Sequence, residues 1–180
     1  MGVSAYYSAF RVTPENLKDA VQGMRALRFG GANVTLPHKQ AVISHLDELD
    51  DSAKWIGAVN TIVNRDGNLV GYNTDGIGYV RSLTEETGIK LSGKNVVVLG
   101  AGGAARGIVY ALCEKQPESI TIVNRTADRA EQLAKDFAPF GSLQGTDTSR
   151  LGDIMKNIDI VINTTSLGMH PNLDATPIDA

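Results

Sequence analysis

Apolar residues recur along the first third of the chain in two spacings, one typical of strands and one typical of helices. Aromatic and β-branched residues over 3–12 predict a strand, and apolar positions at helical spacing predict a helix from Pro14 to about Arg28. A second strand is expected over 33–36. Pro37 is expected to begin the next helix, because a first helical residue does not use its N–H. Alternating strands and helices indicate a parallel α/β sheet.

The middle of the chain predicts a hairpin and a helix that follows it. A short helix over 52–56 precedes two apolar runs, 57–63 and 69–73, which flank Asp66-Gly67. Since Asp-Gly favours the tight turns of hairpins, the two runs are expected to pair as antiparallel strands. A glycine-rich segment then leads into a helix that Gly88 ends.

The second half has the pattern of a parallel sheet that is covered on both faces. Continuous apolar runs predict strands over 95–99, 120–123 and 159–163. The helices predicted around these strands are 103–114, 130–137 and 149–156. We therefore predict an α/β protein of two open α/β domains. Residues 1–76 form a domain with a mixed sheet, and residues 77–180 form a domain with a parallel sheet.

Lys39 lies within one helical turn of the predicted strand over 33–36. The positive end of a helix dipole slightly disfavours a cation there. However, open α/β sheets bind their ligands at the carboxyl ends of the strands. The position therefore suits a lysine that faces a binding pocket, with a solvated surface lysine as the alternative.

A glycine-rich turn joins the predicted strand over 95–99 to the next helix. Its residues are Gly100-Ala101-Gly102-Gly103-Ala104, followed by the small Ala105. Gly100 allows a tight turn, Gly102 lets the backbone approach a pyrophosphate, and Ala105 lets helix and strand pack closely. Free N–H groups at the start of the helix would face the phosphates. The segment predicts a dinucleotide site in a Rossmann-like domain, with a packing device as the alternative.

The residues after the next strand indicate which dinucleotide binds. NAD sites usually have Asp or Glu here to bind the adenosine ribose, whereas this chain has Asn124-Arg125-Thr126 and then Arg129. An acid would repel a 2′-phosphate, and Arg forms charge-assisted hydrogen bonds with it. We therefore predict NADP as the cofactor, with two solvated surface arginines as the alternative.

Composition argues against several classes of protein. With 42% hydrophobic residues and a net charge of −3 over 180 residues, nothing predicts a nucleic-acid or membrane partner. The amino terminus lacks the pattern of a signal peptide, and the single Cys113 fits a reducing cytoplasm. His38, His45 and His170 lack the spacing of metal ligands, so no metal site is expected.

Five motifs occur in one order along the chain. They are Asn33-Val34-Thr35-Leu36-Pro37-His38-Lys39, Gly57-Ala58-Val59-Asn60-Thr61, Gly71-Tyr72-Asn73-Thr74-Asp75-Gly76, Gly100-Ala101-Gly102-Gly103-Ala104 and Asn124-Arg125-Thr126. Together they resemble the shikimate 5-dehydrogenase family, NADP-dependent enzymes of aromatic amino-acid biosynthesis. The resemblance implies a substrate-binding catalytic domain over 1–76 and a Rossmann-like NADP-binding domain over 77–180.

The resemblance also assigns roles to single residues. Lys39 is implied to be catalytic, with Asp75 beside it as its partner. Thr35 and Asn60 are implied to join these two in holding the hydroxyl groups of the substrate. The glycine-rich turn and the arginine segment are implied to bind NADP, and Asp51 matches, less closely, an acid near the nicotinamide.

The implied reaction is the reversible reduction of 3-dehydroshikimate to shikimate by NADPH, on the way to chorismate and the aromatic amino acids. An ammonium group at Lys39 can protonate the alkoxide that hydride transfer leaves. A quinate or quinate/shikimate dehydrogenase and an NADP-binding module without activity are the alternatives. The implied partner is a small-molecule substrate, and a homodimer is left open.

Members of this family have a strand and a serine-rich motif upstream of the position where this chain starts. They also continue with further strands and helices beyond the strand that ends at Asn163, where this chain has a loop-like run over 169–180. We therefore expect an internal fragment or a truncated product. Both domains would then be incomplete, with unpaired strands at the sheet edges.

Overall fold

The computed structural model describes residues 4–168, 170 and 174–178. The chain divides into two compact units, Met1–Tyr72 and Asn73–Ala180, called here the first unit and the second unit. Half of the loop predicted over 169–180, namely residues 169, 171–173, 179 and 180, lies outside the described residues. Within the described part of the chain, no helix combines the length and the apolar character needed to cross a bilayer.

The first unit contains a mixed four-stranded sheet. Its strands are β1 (Gly31–Asn33), β2 (Glu48–Leu49), β3 (Thr61–Arg65) and β4 (Asn68–Tyr72), in the order β1-β3-β4-β2. The β1–β3 and β3–β4 pairs are antiparallel, and β2 runs parallel to β4. Asp66 and Gly67 both have positive φ angles, 53° and 95°, as a tight hairpin turn requires. The predicted hairpin is confirmed.

Two helices of the first unit, α1 (Leu17–Ala26) and α2 (Asp51–Ile56), contribute apolar residues to the core around this sheet. Leu17 and Val21 of α1 and Ala53 of α2 share one buried cluster with Ile62 and Leu69 of the strands. The helix predicted from Pro14 is thus confirmed, although it starts with a short 3₁₀ turn. The short helix predicted over 52–56 is confirmed as α2.

The second unit contains a parallel four-stranded sheet. Its strands are β5 (Asn95–Leu99), β6 (Ser119–Val123), β7 (Leu143–Thr146) and β8 (Ile160–Asn163), in the order β7-β6-β5-β8. Its α-helices are α3 (Asp75–Thr87), α4 (Gly103–Cys113), α5 (Ala127–Phe137) and α6 (Leu151–Ile154). The predicted α/β class, with one mixed and one parallel sheet, is confirmed.

The strand predicted over 3–12 is wrong for the residues that the structure describes. Residues 4–12 belong to no sheet, and Tyr6, Tyr7 and Phe10 are exposed. Aromatic and β-branched residues favour strands only when a neighbouring strand supplies hydrogen bonds and a packing surface. The described part of the chain gives this segment no such neighbour.

The helix predicted to begin at Pro37 is also wrong. Residues 36–40 form turns, and a 3₁₀ helix over Ala41–His45 follows them. The carbonyl oxygen of Lys39 accepts a hydrogen bond of 2.7 Å from the N–H of Val59. An α-helix would need this carbonyl for the residue four positions later, so the tertiary bond replaces the helical one.

Several element boundaries also differ from the sequence pattern. β1 ends at Asn33, where the predicted strand begins, and β3 starts four residues later than predicted, at Thr61. The helix predicted over 149–156 is divided into a short α6 with 3₁₀ turns on both sides. The sequence pattern missed β7, because its residues Leu-Gln-Gly-Thr include only one large apolar side chain.

Cys113 is the last residue of α4 and is buried. Burial raises the pKa of its thiol to about 11, because the charged thiolate loses its solvation.

A close contact between α5 and β7 predicts that Gly145→Ala destabilises the protein. A Cβ at Gly145 would lie 2.2 Å from the carbonyl carbon of Ala130, so helix and strand must separate. We expect the free energy of unfolding to fall by about 1–3 kcal/mol. Urea denaturation monitored by circular dichroism measures this change.

The control is Gly152→Ala in α6, where a Cβ meets nothing within 4 Å. This variant should unfold at the same urea concentration as the original chain or at a higher one. Equal unfolding midpoints for the two variants would contradict the prediction.

Candidate active site

Backbone hydrogen bonds bring three of the predicted site residues together in the first unit. The N–H of Val34 donates to the carbonyl of Asn60 (2.8 Å), and the N–H of Val59 donates to the carbonyl of Lys39 (2.7 Å). The loop that carries Thr35 and Lys39 is therefore held at both ends against the residues that lead into β3. Thr35, Lys39 and Asn60 share one local neighbourhood.

A chain of side-chain hydrogen bonds fixes the orientation of Asn60, which is 8% exposed. The Thr61 hydroxyl donates to Asn60 Oδ1 (3.0 Å), and Asn33 Nδ2 donates to Thr61 Oγ1 (3.3 Å). The Tyr7 hydroxyl in turn donates to Asn33 Oδ1 (3.1 Å). Because Thr61 occupies the oxygen side of the Asn60 carboxamide, its NH₂ side is directed away from Thr61.

A cavity of about 370 Å³ lies beside this loop, lined by residues of 10–14 and 35–38. Thr35 forms part of its wall. His38 Nε2 donates to the carbonyl of Val12 (2.8 Å), so this imidazole joins the two walls. The cavity is large enough for a small polar ligand.

In the second unit, the glycine-rich turn begins at a residue that must be glycine. Gly100 has a φ of 108°, and a Cβ there would lie 2.6 Å from Thr164 Oγ1. Its N–H donates to the carbonyl of Val123 (2.8 Å), which holds the turn at the carboxyl ends of β5 and β6. A Cβ at Gly102 or Gly103 would meet nothing within 4 Å, so their backbone is open to a ligand.

The free N–H groups of α4 begin at this turn. α4 starts at Gly103 and has 11 residues, its N-cap Gly102 forms no side-chain cap hydrogen bond, and its first turn contains no acidic residue. This combination of an open glycine turn and a helix start suits the pyrophosphate of a dinucleotide.

The predicted arginine segment follows β6 beside the glycine-rich turn. Asn124 Nδ2 donates to the carbonyl of Thr126 (2.9 Å), and the N–H of Arg129 donates to the same carbonyl (3.2 Å). These bonds shape the turn into α5, and the side chains of Arg125 and Arg129 are exposed.

Two threonines that the sequence analysis did not select also lie at this edge of the sheet. Thr164 follows β8, and both its N–H (2.9 Å) and its hydroxyl (2.7 Å) donate to the carbonyl of Leu99. Thr146 ends β7 and accepts a hydrogen bond of 3.1 Å from the N–H of Asn124. The signal for Thr164 was its position directly after the strand predicted over 159–163, whereas no sequence signal marked Thr146, because the pattern missed β7.

Asp75 is the first residue of α3 and belongs to the second unit, with the glycine-rich turn. Its side chain is exposed, and its N–H donates to Oδ1 of the buried Asn73 (3.2 Å). The short turn from Asn73 to Asp75 is thus fixed by a side chain, as is common before a helix.

Asp51 lies in the first unit, as the first residue of α2. Its carboxylate forms an ion pair of 2.9 Å with Lys54 of the same helix. The structure therefore gives Asp51 a local partner within α2.

An ion pair joins α4 to α5 in the second unit. Arg106 donates to the carboxylate of Asp136 and lies 5.2 Å from the ring centre of Phe137. Asp136 also accepts a hydrogen bond of 2.8 Å from Gln132. The Arg106 guanidinium, and then the Gln132 amide, hold the pKa of the Asp136 carboxyl below its ordinary value.

The parallel sheet, the glycine-rich turn after β5 and the helix that starts there define a protein with a Rossmann-like dinucleotide-binding fold. The profile described as "Shikimate dehydrogenase substrate binding domain" matches residues 1–62, and the profile described as "Shikimate / quinate 5-dehydrogenase" matches residues 82–172. The chain belongs to the shikimate dehydrogenase family.

Relatives from several bacteria agree with this assignment. The chain is 49% identical to "Shikimate dehydrogenase (NADP(+))" of Geobacillus sp. (strain WCH70) over 178 residues, which cover 99% of this chain and 64% of the relative. The chain thus spans less than two thirds of the length of that relative.

Two solved structures share the fold. Shikimate 5-dehydrogenase from Listeria monocytogenes in complex with shikimate and NAD has a TM-score of 0.86 and 36% identity, over 93% of this chain and 60% of that chain. Shikimate 5-dehydrogenase from Thermus thermophilus in complex with NADP(H) and shikimate has a TM-score of 0.77 and 34% identity, over 93% and 59%.

The ion pair predicts a pH-dependent effect of Asp136→Asn. Because the pKa of Asp136 is lower in the folded chain, its stabilisation is complete above the unfolded pKa of about 4 and is lost as the pH falls through the folded pKa. At pH 7 we expect the free energy of unfolding to fall by about 1 kcal/mol, since both side chains are partly exposed.

Urea denaturation between pH 7 and pH 3 measures the difference between Asp136→Asn and the original chain. Glu131→Gln, at an exposed position of the same helix, is the matched control and should change stability little at either pH. A difference for Asp136→Asn that stays constant down to pH 3 would argue against the ion pair as its cause.

Proposed function

We propose that this chain carries the dehydrogenase activity of its family, the reversible reduction of 3-dehydroshikimate to shikimate with NADPH in the shikimate pathway. The observation that carries the proposal is the shared neighbourhood of Thr35, Lys39 and Asn60, in a chain whose second unit has a dinucleotide turn. The name of the Geobacillus relative supports both the substrate and NADP.

Lys39 is the proposed proton donor for reduction. When bound, NADPH supplies a hydride to the ring ketone, and the resulting alkoxide needs a proton. The Lys39 ammonium stabilises this negative charge and donates the proton, a contribution of about 10²–10⁴-fold in rate. In the reverse direction, neutral Lys39 accepts the hydroxyl proton. Asp75 is the proposed partner that orients the lysine and binds a neighbouring hydroxyl group.

Thr35 and Asn60 are proposed to bind the hydroxyl groups of the substrate. The Thr35 side chain is exposed at the wall of the cavity, where its hydroxyl can donate or accept. The carboxamide of Asn60 is held on its oxygen side by Thr61, so its NH₂ group has a defined direction. Fixed polar groups of this kind recognise a polyhydroxylated ring better than flexible ones.

NADP is the proposed cofactor, and the residues of the second unit fit it. The open backbone at Gly102 and Gly103 and the N–H groups of α4 suit the pyrophosphate. The exposed Arg125 and Arg129 follow β6, where an acid would favour NAD. Each arginine can form a charge-assisted bond with the 2′-phosphate. Asp51 is the residue proposed to lie near the nicotinamide.

A quinate/shikimate dehydrogenase is the second candidate function, because the profile that matches residues 82–172 covers both activities. The two candidates differ in the substrate that the enzyme prefers. Comparing the rates with shikimate and with quinate decides between them.

The proposed setting is the cytoplasm, with small molecules as partners. The buried Cys113 is unpaired with another cysteine, as expected for a reducing compartment.

A homodimer is also proposed, since β1 and β7 lie at sheet edges and edge strands can pair between copies. Sedimentation of the purified chain measures its oligomeric state.

The role of Lys39 is tested by Lys39→Ala. We expect the rate of NADP⁺ reduction at saturating shikimate to fall by about 10²–10⁴-fold, because the proton donor is removed. The dissociation constant of NADP⁺ should stay within about twofold, because the dinucleotide turn lies in the other unit.

Lys18→Ala, at an exposed lysine of α1, is the control and should keep full activity. Loss of both turnover and NADP⁺ binding in a folded Lys39→Ala variant would contradict this division of roles. An original chain that binds NADP⁺ but does not oxidise shikimate or quinate would instead be an NADP-binding module without activity.

The choice of cofactor is tested by Arg125→Ala. Loss of one charge-assisted bond should raise the dissociation constant of NADP⁺ about 10- to 100-fold and leave that of NAD⁺ nearly unchanged. Isothermal titration calorimetry measures both constants. Arg81→Ala removes the same charge from α3, where Arg81 pairs with Glu85, and should alter neither constant. Equal weakening of NADP⁺ and NAD⁺ by Arg125→Ala would contradict the assignment.

A further inference from the structure

Two helices of the second unit cross at a pair of glycines. A Cβ at Gly76 of α3 would lie 1.9 Å from the carbonyl oxygen of Gly107 in α4 and 2.3 Å from its carbonyl carbon. Both glycines are buried. The obstacle is backbone, which cannot rotate away as a side chain would, so the two helices can approach this closely only with glycine at position 76.

The contact between the two helices leaves less space for a Cβ at Gly76 than for a Cβ at Gly107. A Cβ at Gly107 would lie 3.6 Å from the backbone nitrogen of Gly76 and 3.9 Å from Asn73 Oδ1, which are ordinary contact distances. Gly78, two residues further along α3, has nothing within 4 Å of its Cβ position. The strict requirement for glycine therefore belongs to position 76.

The crossing lies between the two functional parts of the second unit. Gly76 directly follows Asp75, the proposed partner of the catalytic lysine. Gly107 lies four residues after Gly103, which is about 6 Å along the axis of α4. The glycine-rich turn and the Asp75 carboxylate are thus linked through one rigid contact.

The turn before α3 is part of the same contact. Asn73 is 4% exposed, and its Oδ1 accepts the N–H of Asp75 at 3.2 Å. The same oxygen lies near the Cβ position of Gly107. Asp75 is therefore fixed by the backbone of α3 and by a side chain that packs against α4.

We propose that Gly76 is a positioning residue, which sets the place of the Asp75 carboxylate relative to the dinucleotide turn through its contact with Gly107. The proposal rests on the proposed function, in which Asp75 acts on a substrate that receives a hydride from the bound cofactor. A displacement of α3 from α4 would move Asp75 away from the reacting atoms and leave the phosphate-binding backbone in place.

The test compares Gly76→Ala with Gly78→Ala in the full chain. Both variants add one methyl group to the same turn of α3, but only the first meets the backbone of α4. We expect kcat for shikimate oxidation to fall at least tenfold in Gly76→Ala, with the dissociation constant of NADP⁺ within threefold. Gly78→Ala should retain both values.

A double-mutant cycle with Asp75→Asn separates positioning from a general structural effect. If Gly76 acts through Asp75, Gly76→Ala should lower kcat less than threefold in the Asp75→Asn background. A loss of the same size in both backgrounds, or equal kcat for Gly76→Ala and Gly78→Ala, would overturn the proposal.

A second pair of variants covers the case in which Gly76→Ala does not fold. Gly107→Ala makes only ordinary contacts and should change kcat less than twofold, whereas Gly107→Val adds methyl groups toward Gly76 and Asn73. Gly107→Val should lower kcat at least tenfold, again only when Asp75 is present. A kcat for Gly107→Val equal to that of Gly107→Ala would overturn the proposal.

Hydrogen exchange gives a readout that needs neither turnover nor cofactor. In the free chain, Gly76→Ala or Gly107→Val should increase the exchange of amides at the start of both α3 and α4, and Gly78→Ala should increase it in neither. Exchange that rises in only one of the two helices would overturn the proposal. An original chain without turnover would count against the proposed function alone.

Discussion

The N–H of Gly100 donates to the carbonyl of Val123, one residue beyond the last paired position of β5. This bond and its neighbours extend the sheet past its strands: Asn124 donates to Thr146, and Thr164 donates to Leu99. Backbone hydrogen bonds therefore connect the carboxyl ends of all four strands. The glycine-rich turn and the arginine segment depend on this edge, because the turns that follow β5 and β6 start from fixed positions.

In the first unit, the backbone around Lys39 is also fixed by hydrogen bonds, but outside regular secondary structure. Lys39 lies in a turn, where no helix or strand fixes its backbone, yet its carbonyl is bound by Val59 and the loop before it is bound by Asn60. Asn60 itself is oriented by Thr61 and Asn33. A loop that two backbone bonds hold at its ends can present a lysine and a threonine in a reproducible geometry.

The second unit could be predicted well from the sequence, because continuous apolar runs and a glycine stop depend on local spacing. The predicted limits of β5 agree with the structure, and Gly88 ends α3 with a left-handed φ of 70° as expected.

The strand predicted over 3–12 and the helix predicted from Pro37 were wrong because the structure of these segments depends on distant partners. No local pattern shows that the N–H of Val59 donates to the carbonyl of Lys39, or that the described part of the chain offers residues 4–12 no neighbouring strand. Among the candidate site residues, the structure groups Thr35, Lys39 and Asn60 in one unit and Asp75 with the glycine-rich turn in the other. Their roles in catalysis and substrate binding stay predictions, whereas the hydrogen bonds of Thr164 to Leu99 and the contact of Gly76 with Gly107 required coordinates.

The buried Cys113 at the end of α4 gives the second unit an internal probe. It is the single thiol in the sequence, and with a pKa of about 11 it is almost entirely protonated near pH 8. An alkylating reagent therefore reacts with it only after α4 opens and exposes the sulfur. The rate of that reaction reports how often the carboxyl end of α4 opens, without any label or added residue.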